Sequence, residues 1–273
     1  MDKKTKVRKL TESALLIAIA TVLSVLKIAE LPYGGSITIA SMLPIIIISY
    51  RYGIRWGLIC GLAYAALQQL FGLNMLSYAT SWQAMVAIIL LDYIVAFTVT
   101  GLGGIFKKLV PQPVAFVLGS LLVGFIRFIC HVISGATVWA GLSIPTEEAF
   151  VYSIGYNATY MLPEVLILMI VGFYLASMLD FGGETLRPYN RSTESKSMFA
   201  KLPIQKWIGG IIIAGALIFD TVMIFSKLQN PQTGDFDITG LSAVQWTWIA
   251  IISLCAAIAG LVLYFLSERN DLD

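Results

Sequence analysis

Charge is what this sequence has least of: 12% of its 273 residues are Asp, Glu, Lys or Arg, against about 25% in an ordinary soluble domain. A chain so poor in charge and 58% hydrophobic is an integral membrane protein. There is a single histidine and no H-E-x-x-H, which excludes a multi-histidine metal site. No G-x-x-x-x-G-K-[ST] loop is present, so the chain does not hydrolyse ATP in the usual way by itself. The three cysteines, Cys60, Cys130 and Cys255, stand singly in apolar runs with neither pairing nor metal spacing. They read as small buried apolar residues. No nucleophile constellation stands out either, so the chain is read as a non-enzyme, without cofactor and without a nucleic-acid partner.

What is present is a series of long, unalternating apolar runs, which satisfy their backbone in lipid as helices rather than barrel strands. The expected fold class is an all-α integral membrane protein with eight spans, near 10–29, 36–50, 56–73, 84–106, 112–140, 151–179, 207–226 and 244–267. The second and third are short for a crossing of about 20 residues. Of the 18 Lys and Arg, all but Lys27, Arg127 and Lys227 fall on one side of this arrangement. By the positive-inside bias both termini are cytoplasmic.

Against this background the polar exceptions carry the information. Arg127, His131, Gly135 and Trp139 recur every fourth residue and form one stripe on a helix. Tyr152, Asn157, Tyr160 and the pair Pro163-Glu164 follow in the next span. Asp92 interrupts the run LLDYIVAF, and the topology brings it to the depth of His131, with Asn157 entering from the same side. A carboxylate, an imidazole, an amide and several rings at one level describe a pocket for a small molecule, open to the outside. Asp92 is either a ligand group or a structural partner of Arg127, and Arg127 itself reads as a counter-ion for Asp92 or a helix end. Tyr93, Trp139, Tyr152 and Tyr64 fit either the pocket or the aromatic belts of the membrane surface. Asn157 also suits a helix cap. Glu164 is assigned a structural role, and Asp220 lies near a span end where it reaches water. Ala14 and Ala18 form a small-xxx-small pair that permits close helix contact.

The stretches GGSITIASMLPIIIISYRYGIRWGL, LLDYIVAFTVTGLGGIF, RFICHVISGATVW and YSIGYNATYMLPE, in this order and spacing, resemble the thiamine-specific substrate-binding (S) component of energy-coupling factor transporters. The resemblance covers residues 8 to about 180. It implies a six-helix S component that captures thiamine outside and delivers it with a shared transmembrane coupling (T) protein and two cytoplasmic ATPases. It implies a substrate-binding set of Asp92, Tyr93, His131, Gly135, Trp139, Tyr152, Asn157, Tyr64 and Arg127. Ala14 and Ala18 then form the face that docks on the coupling protein. The chain departs from the family in three places: aspartate at the acidic position that is glutamate in some members, PYGGS where some carry a tryptophan in the first outer loop, and two extra spans. Closure over the ligand then falls to Tyr33 or to no residue of this loop. The expected organisation is a thiamine-binding domain over 1–180, a cytoplasmic linker over 181–206 and a two-helix membrane extension over 207–273. The alternative from another class is an ion-coupled secondary transporter of a cationic or aromatic solute, using Asp92 and His131 as a proton relay.

Overall fold

The computed structural model describes residues 3–141, 146–183, 185–189 and 242–270, with scattered positions between 208 and 227. It divides into two compact units, 1–189 and 190–273. The first is built from six helices: α1 (Lys3–Val25), α2 (Leu43–Tyr52), α3 (Ile54–Phe71), the interrupted α4 (Trp82–Lys108), α5 (Gln112–Gly141) and α6 (Thr146–Met178). Two short antiparallel pairings join them, β1 (Lys27–Glu30) with β2 (Ser36–Thr38), and β3 (Leu179–Asp180) with β4 (Arg187–Pro188). Among the described residues, four helices are long and apolar enough to cross a membrane: α4, α5, α6 and, in the second unit, α7 (Trp246–Asn270).

The expected span over 36–50 is not one helix. Its first part is β2, and only ten residues from Leu43 are helical. Pro44 suits the first turn, where a missing N–H costs nothing, and Gly53, at φ 87°, ends α2 and lets α3 start at once in a new direction. The four isoleucines Ile45 to Ile48 are all buried, so α2 lies inside the unit, against Phe116, Val123 and Leu168 on one side and Ala20, Cys60 and Tyr64 on the other.

Helix α4 starts under a cap in which the Ser81 hydroxyl accepts the Ala84 N–H at 3.1 Å. It then changes pitch twice. Ile88–Val95 is π-helical and Val99–Leu102 is a 3-10 turn. The wider π turns displace the side-chain register by part of a turn, and such interruptions recur at functional sites. Asp92 lies inside this segment.

Helix α6 packs along α5. A Cβ on Gly135 would stand 2.4 Å from Ser153 Oγ, so a larger residue there would have to displace that hydroxyl from between the two helices. Gln112, at the start of α5, closes the other end of α6. Its amide nitrogen donates to the carbonyls of Ala176 (2.8 Å) and Leu179 (2.7 Å), and its oxygen accepts the Phe181 N–H (2.9 Å). These are the carbonyls a helix end leaves unpaired.

In the second unit, a Cβ on Gly209 would lie 3.4 Å from the Gly260 Cα. Asp220 does not reach water as expected. It is buried and accepts a hydrogen bond from Ser253 on α7, the cheaper arrangement for a carboxyl set among apolar helices. Trp207, and the expected linker beyond Tyr189, lie outside the described residues.

Candidate functional site

A cavity of about 490 Å³ opens between the β1–β2 hairpin, α3, α4, α5 and α6. Asp92 supplies its carboxylate from the π segment. One oxygen is 2.8 Å from His131 Nδ1, and the other accepts the Ser134 hydroxyl at 2.6 Å. The side chain keeps 26% of its surface open, against 10% for His131, and that open part faces the cavity.

Arg127 is buried one turn from His131 and does not pair with Asp92. Its Nη2 stands 3.4 Å from His131 Nε2, its Nη1 contacts the Met42 sulfur, and its guanidinium lies 4.4 Å from the Phe97 ring centroid. The contact with Asp92 expected of it is made by His131 instead. The physical reason is register: the π turns bring Asp92 to the level of His131 and Ser134, one turn and more beyond Arg127 on α5.

Asn157 is held from three directions. Its amide nitrogen donates to the carbonyls of Ser153 (2.8 Å) and His131 (3.2 Å), and its oxygen accepts the Tyr160 hydroxyl (2.6 Å). It therefore sits mid-helix and does not cap α6. By bonding the carbonyl of His131 it fixes the backbone under the imidazole.

Tyr156 and Glu164 hold the hairpin over the cavity. The Tyr156 hydroxyl accepts the Gly35 N–H at 3.0 Å. Glu164 accepts the Thr38 N–H at 2.5 Å and the Thr38 hydroxyl at 2.7 Å. Glu164 is thus structural, as its position after Pro163 led one to expect, and its carboxylate is satisfied by donors that a buried charge requires. Tyr33, at φ 66°, lines the cavity and meets the Tyr78 ring edge-on at 5.2 Å.

Of the residues expected at the site, Asp92, Tyr93, Arg127, His131, Gly135 and Asn157 line this one cavity. Tyr93 donates to the Gly72 carbonyl at 3.3 Å and lies along Phe97. Two others do not line it. Tyr64 is fully buried beneath, its hydroxyl 3.4 Å from the Ala20 carbonyl and its ring edge-on to Phe97. Tyr152 sits one turn beyond Tyr156 and is half-buried outside the lining. Trp139 belongs to α5, but its side chain lies outside the described residues. Ala14 and Ala18 are both exposed on α1.

Sequence reasoning passed over Tyr156 as a site residue. The signal was available: Tyr156, Tyr160 and Glu164 are spaced by four and share a face. Formal charge adds a last property. Lys27 and Glu30 on the rim pair at 2.5 Å; the remaining lining charges, Arg127, Asp92 and Glu164, leave one negative. A cavity of this size, ringed by tyrosines and carrying a partly open carboxylate, suits a small flat cation.

Comparison with known proteins bears on the first unit. A family model described as thiamine transporter protein matches residues 10–180. The chain is 32% identical over 183 residues to the thiamine transporter ThiT of Bacillus subtilis (strain 168), an alignment covering 63% of this chain and 91% of that protein. Among solved structures it is similar to ThiT from Listeria monocytogenes, with a TM-score of 0.50 and 24% identity over 63% of this chain and 94% of the other, a likeness of fold. The family match spans the residues that line the cavity, and the chain belongs to the thiamine transporter protein family.

Proposed function

We propose that the first unit binds thiamine in this cavity and serves as the substrate-binding subunit of an ATP-driven vitamin importer. The observation that carries the reading is Asp92: a partly open carboxylate held by His131 and Ser134 in the lining of a tyrosine-rich cavity. Thiamine brings a permanently charged thiazolium, an aminopyrimidine edge and two flat rings. The carboxylate attracts the cation, Tyr93 and the neighbouring rings offer faces, and the amide and imidazole groups offer polar atoms for the edge. Trp139 and Tyr152 are kept in the binding set on their sequence positions, while Tyr64 supports the lining from behind Phe97. Binding requires no covalent chemistry.

Delivery is assigned to partners, a transmembrane coupling protein and two cytoplasmic ATPases, because the chain has no phosphate loop of its own. Ala14 and Ala18 lie on a face of α1 that is exposed together with Leu15, Ile19 and Val22, a surface low enough for close helix contact. Both termini are placed in the cytoplasm, with the cavity open to the outside. The hydrogen bond between Asp92 and His131 also favours a second reading, a proton relay in an ion-coupled transporter.

Purified protein is expected to bind thiamine with quenching of tryptophan emission, and vesicle uptake is expected only when the coupling protein and ATPases are present. Proton-driven uptake by the chain alone would establish the second reading instead. Replacing Ala14 and Ala18 together by Leu is expected to abolish uptake and leave thiamine affinity unchanged; lost affinity in the folded double variant would tie α1 to the cavity.

A further inference from the structure

His131 meets a different charged side chain with each ring nitrogen. Nδ1 faces Asp92 at 2.8 Å, and Nε2 faces Nη2 of Arg127 at 3.4 Å. A guanidinium offers only N–H donors and stays charged throughout the ordinary pH range. The nitrogen facing it must therefore be the one with the lone pair, and the proton sits on Nδ1, where Asp92 accepts it. A doubly protonated ring would set N–H against N–H and cation against cation. We propose that Arg127 is a positioning residue that holds His131 as the neutral Nδ1–H tautomer, so that no imidazolium competes with a bound cation for the charge of Asp92. The last clause rests on the cation-binding reading given above; the tautomer itself does not.

The surroundings leave Arg127 free for this role. No carboxylate pairs with it among the described residues. It is buried, its Nε has no partner, and Phe97 and Met42 hold the guanidinium in place. The other groups facing the imidazole do not compete. Tyr160 of α6 approaches edge-on, with ring centroids 6.3 Å apart, and its hydroxyl is committed to Asn157. Glu164 shares the cavity, but its oxygens are taken by Thr38. Ser134 donates to the second oxygen of Asp92, so both Asp92 oxygens act as acceptors in one consistent chain of donors from Arg127 through His131 to Asp92.

The chain's single histidine makes the proton's position directly readable. In protein labelled with ¹⁵N in the imidazole ring, in detergent and without ligand, the expected spectrum at neutral pH shows a proton-bearing Nδ1 and a bare Nε2. Arg127→Met is expected to let Nε2 take up a second proton and give the doubly protonated ring, and Arg127→Lys, which restores a cationic donor, to return the wild-type pattern. Thiamine affinity of the methionine variant should fall by about tenfold from about pH 8 to about pH 6, the range in which an unrestrained histidine gains its charge, while wild type changes by less than about twofold. A wild-type spectrum with a proton on Nε2 overturns the proposal, and so does a folded Arg127→Met with the wild-type pattern. If that variant does not fold, the wild-type spectrum still decides the tautomer, and the pH series is carried by wild type against Arg127→Lys, whose affinities should run parallel and whose divergence would count against the proposal. Should wild type bind no thiamine, the functional reading fails while the spectrum still tests the tautomer.

Discussion

The two ends of the first unit are made from the same apolar helices and differ in what lies between them. At the cavity end the spaces are held open by large polar residues: Tyr93 on the interrupted α4, Arg127 and His131 on α5, and Tyr156 and Tyr160 on α6. At the other end the helices are drawn together by small residues. Ser49 donates to the Gly101 carbonyl at 2.5 Å and accepts the Gly104 N–H at 3.1 Å. A Cβ on Gly57 would stand 2.6 Å from the Gly101 carbonyl oxygen, and one on Gly119 would stand 2.0 Å from that of Gly103. Arg51 and Tyr52 of α2 both hold Glu12 of α1 beside them. The contrast teaches that an aromatic cavity within apolar helices is kept from collapsing by a closely packed floor, and that the floor depends on backbone meeting backbone. A bound molecule cannot leave through that floor without moving whole helices.

The sharpest way to break the contrast is to wedge the floor. A Cβ on Gly101 would fall 2.3–2.4 Å from the backbone of Gly57 and Leu58, where no side chain can turn aside. Gly101→Leu is expected to cost about 3 kcal/mol or more, the upper range for overpacking, and to leave little monodisperse protein on size exclusion. A variant that melts at the wild-type temperature would show that the helices slide apart easily and that the floor is not rigid.

At the cavity end the same test removes a charge and keeps the shape. Asp92→Asn retains acceptor and donor atoms for His131 and Ser134 but no longer attracts a cation. Affinity for thiamine is expected to fall by about 1–3 kcal/mol, roughly 5- to 150-fold, with His131→Ala in the same range. Melting temperatures should stay near that of wild type, because the cavity end already tolerates open space. Calorimetry showing unchanged affinity in folded Asp92→Asn would remove the carboxylate from the site.

The two ends were also unequally legible in the sequence. Asp92, Arg127 and His131 announced themselves because a charge or imidazole in an apolar run has few inexpensive explanations. Helices α5 and α6 followed from hydropathy alone. The π segment did not, since LLDYIV has no composition that prefers one helical pitch to another; the choice is made by packing against α3 and α5. Nor did the break at Gly53 in direction, or the split of 36–50 into β2 and α2, although Pro44 marked a helix start inside that run. The assignment of Tyr64 to the lining came from the family's motif, and that of Tyr152 from its place at the start of the span as well. In this chain Tyr64 sits behind Phe97, and the face of α6 turned to the cavity carries Tyr156 and Tyr160.

The smallest effect is expected where the comparison extends to the second unit. Among the described residues, those lining the cavity all lie between Ser24 and Glu164, the hairpin is held by Tyr156 and Glu164, and the end of α6 is closed by Gln112 and by pairing with β4. None of these needs a residue beyond Pro188. The second unit has its own polar contact, between Ser253 and Asp220, and its own close approach of Gly209 to Gly260. Trp246 and Trp248 at the start of α7 are both exposed, as interfacial anchors are. A chain ended after Ser195 keeps the whole lining and its fastenings, so its thiamine affinity is expected to stay within about twofold of the full chain, a change of under about 0.5 kcal/mol. Titration of both proteins in one detergent makes the comparison. A monodisperse truncated chain that binds no thiamine would place the second unit within the binding body, whereas unchanged binding with lost uptake would direct attention to assembly with the ATPase module.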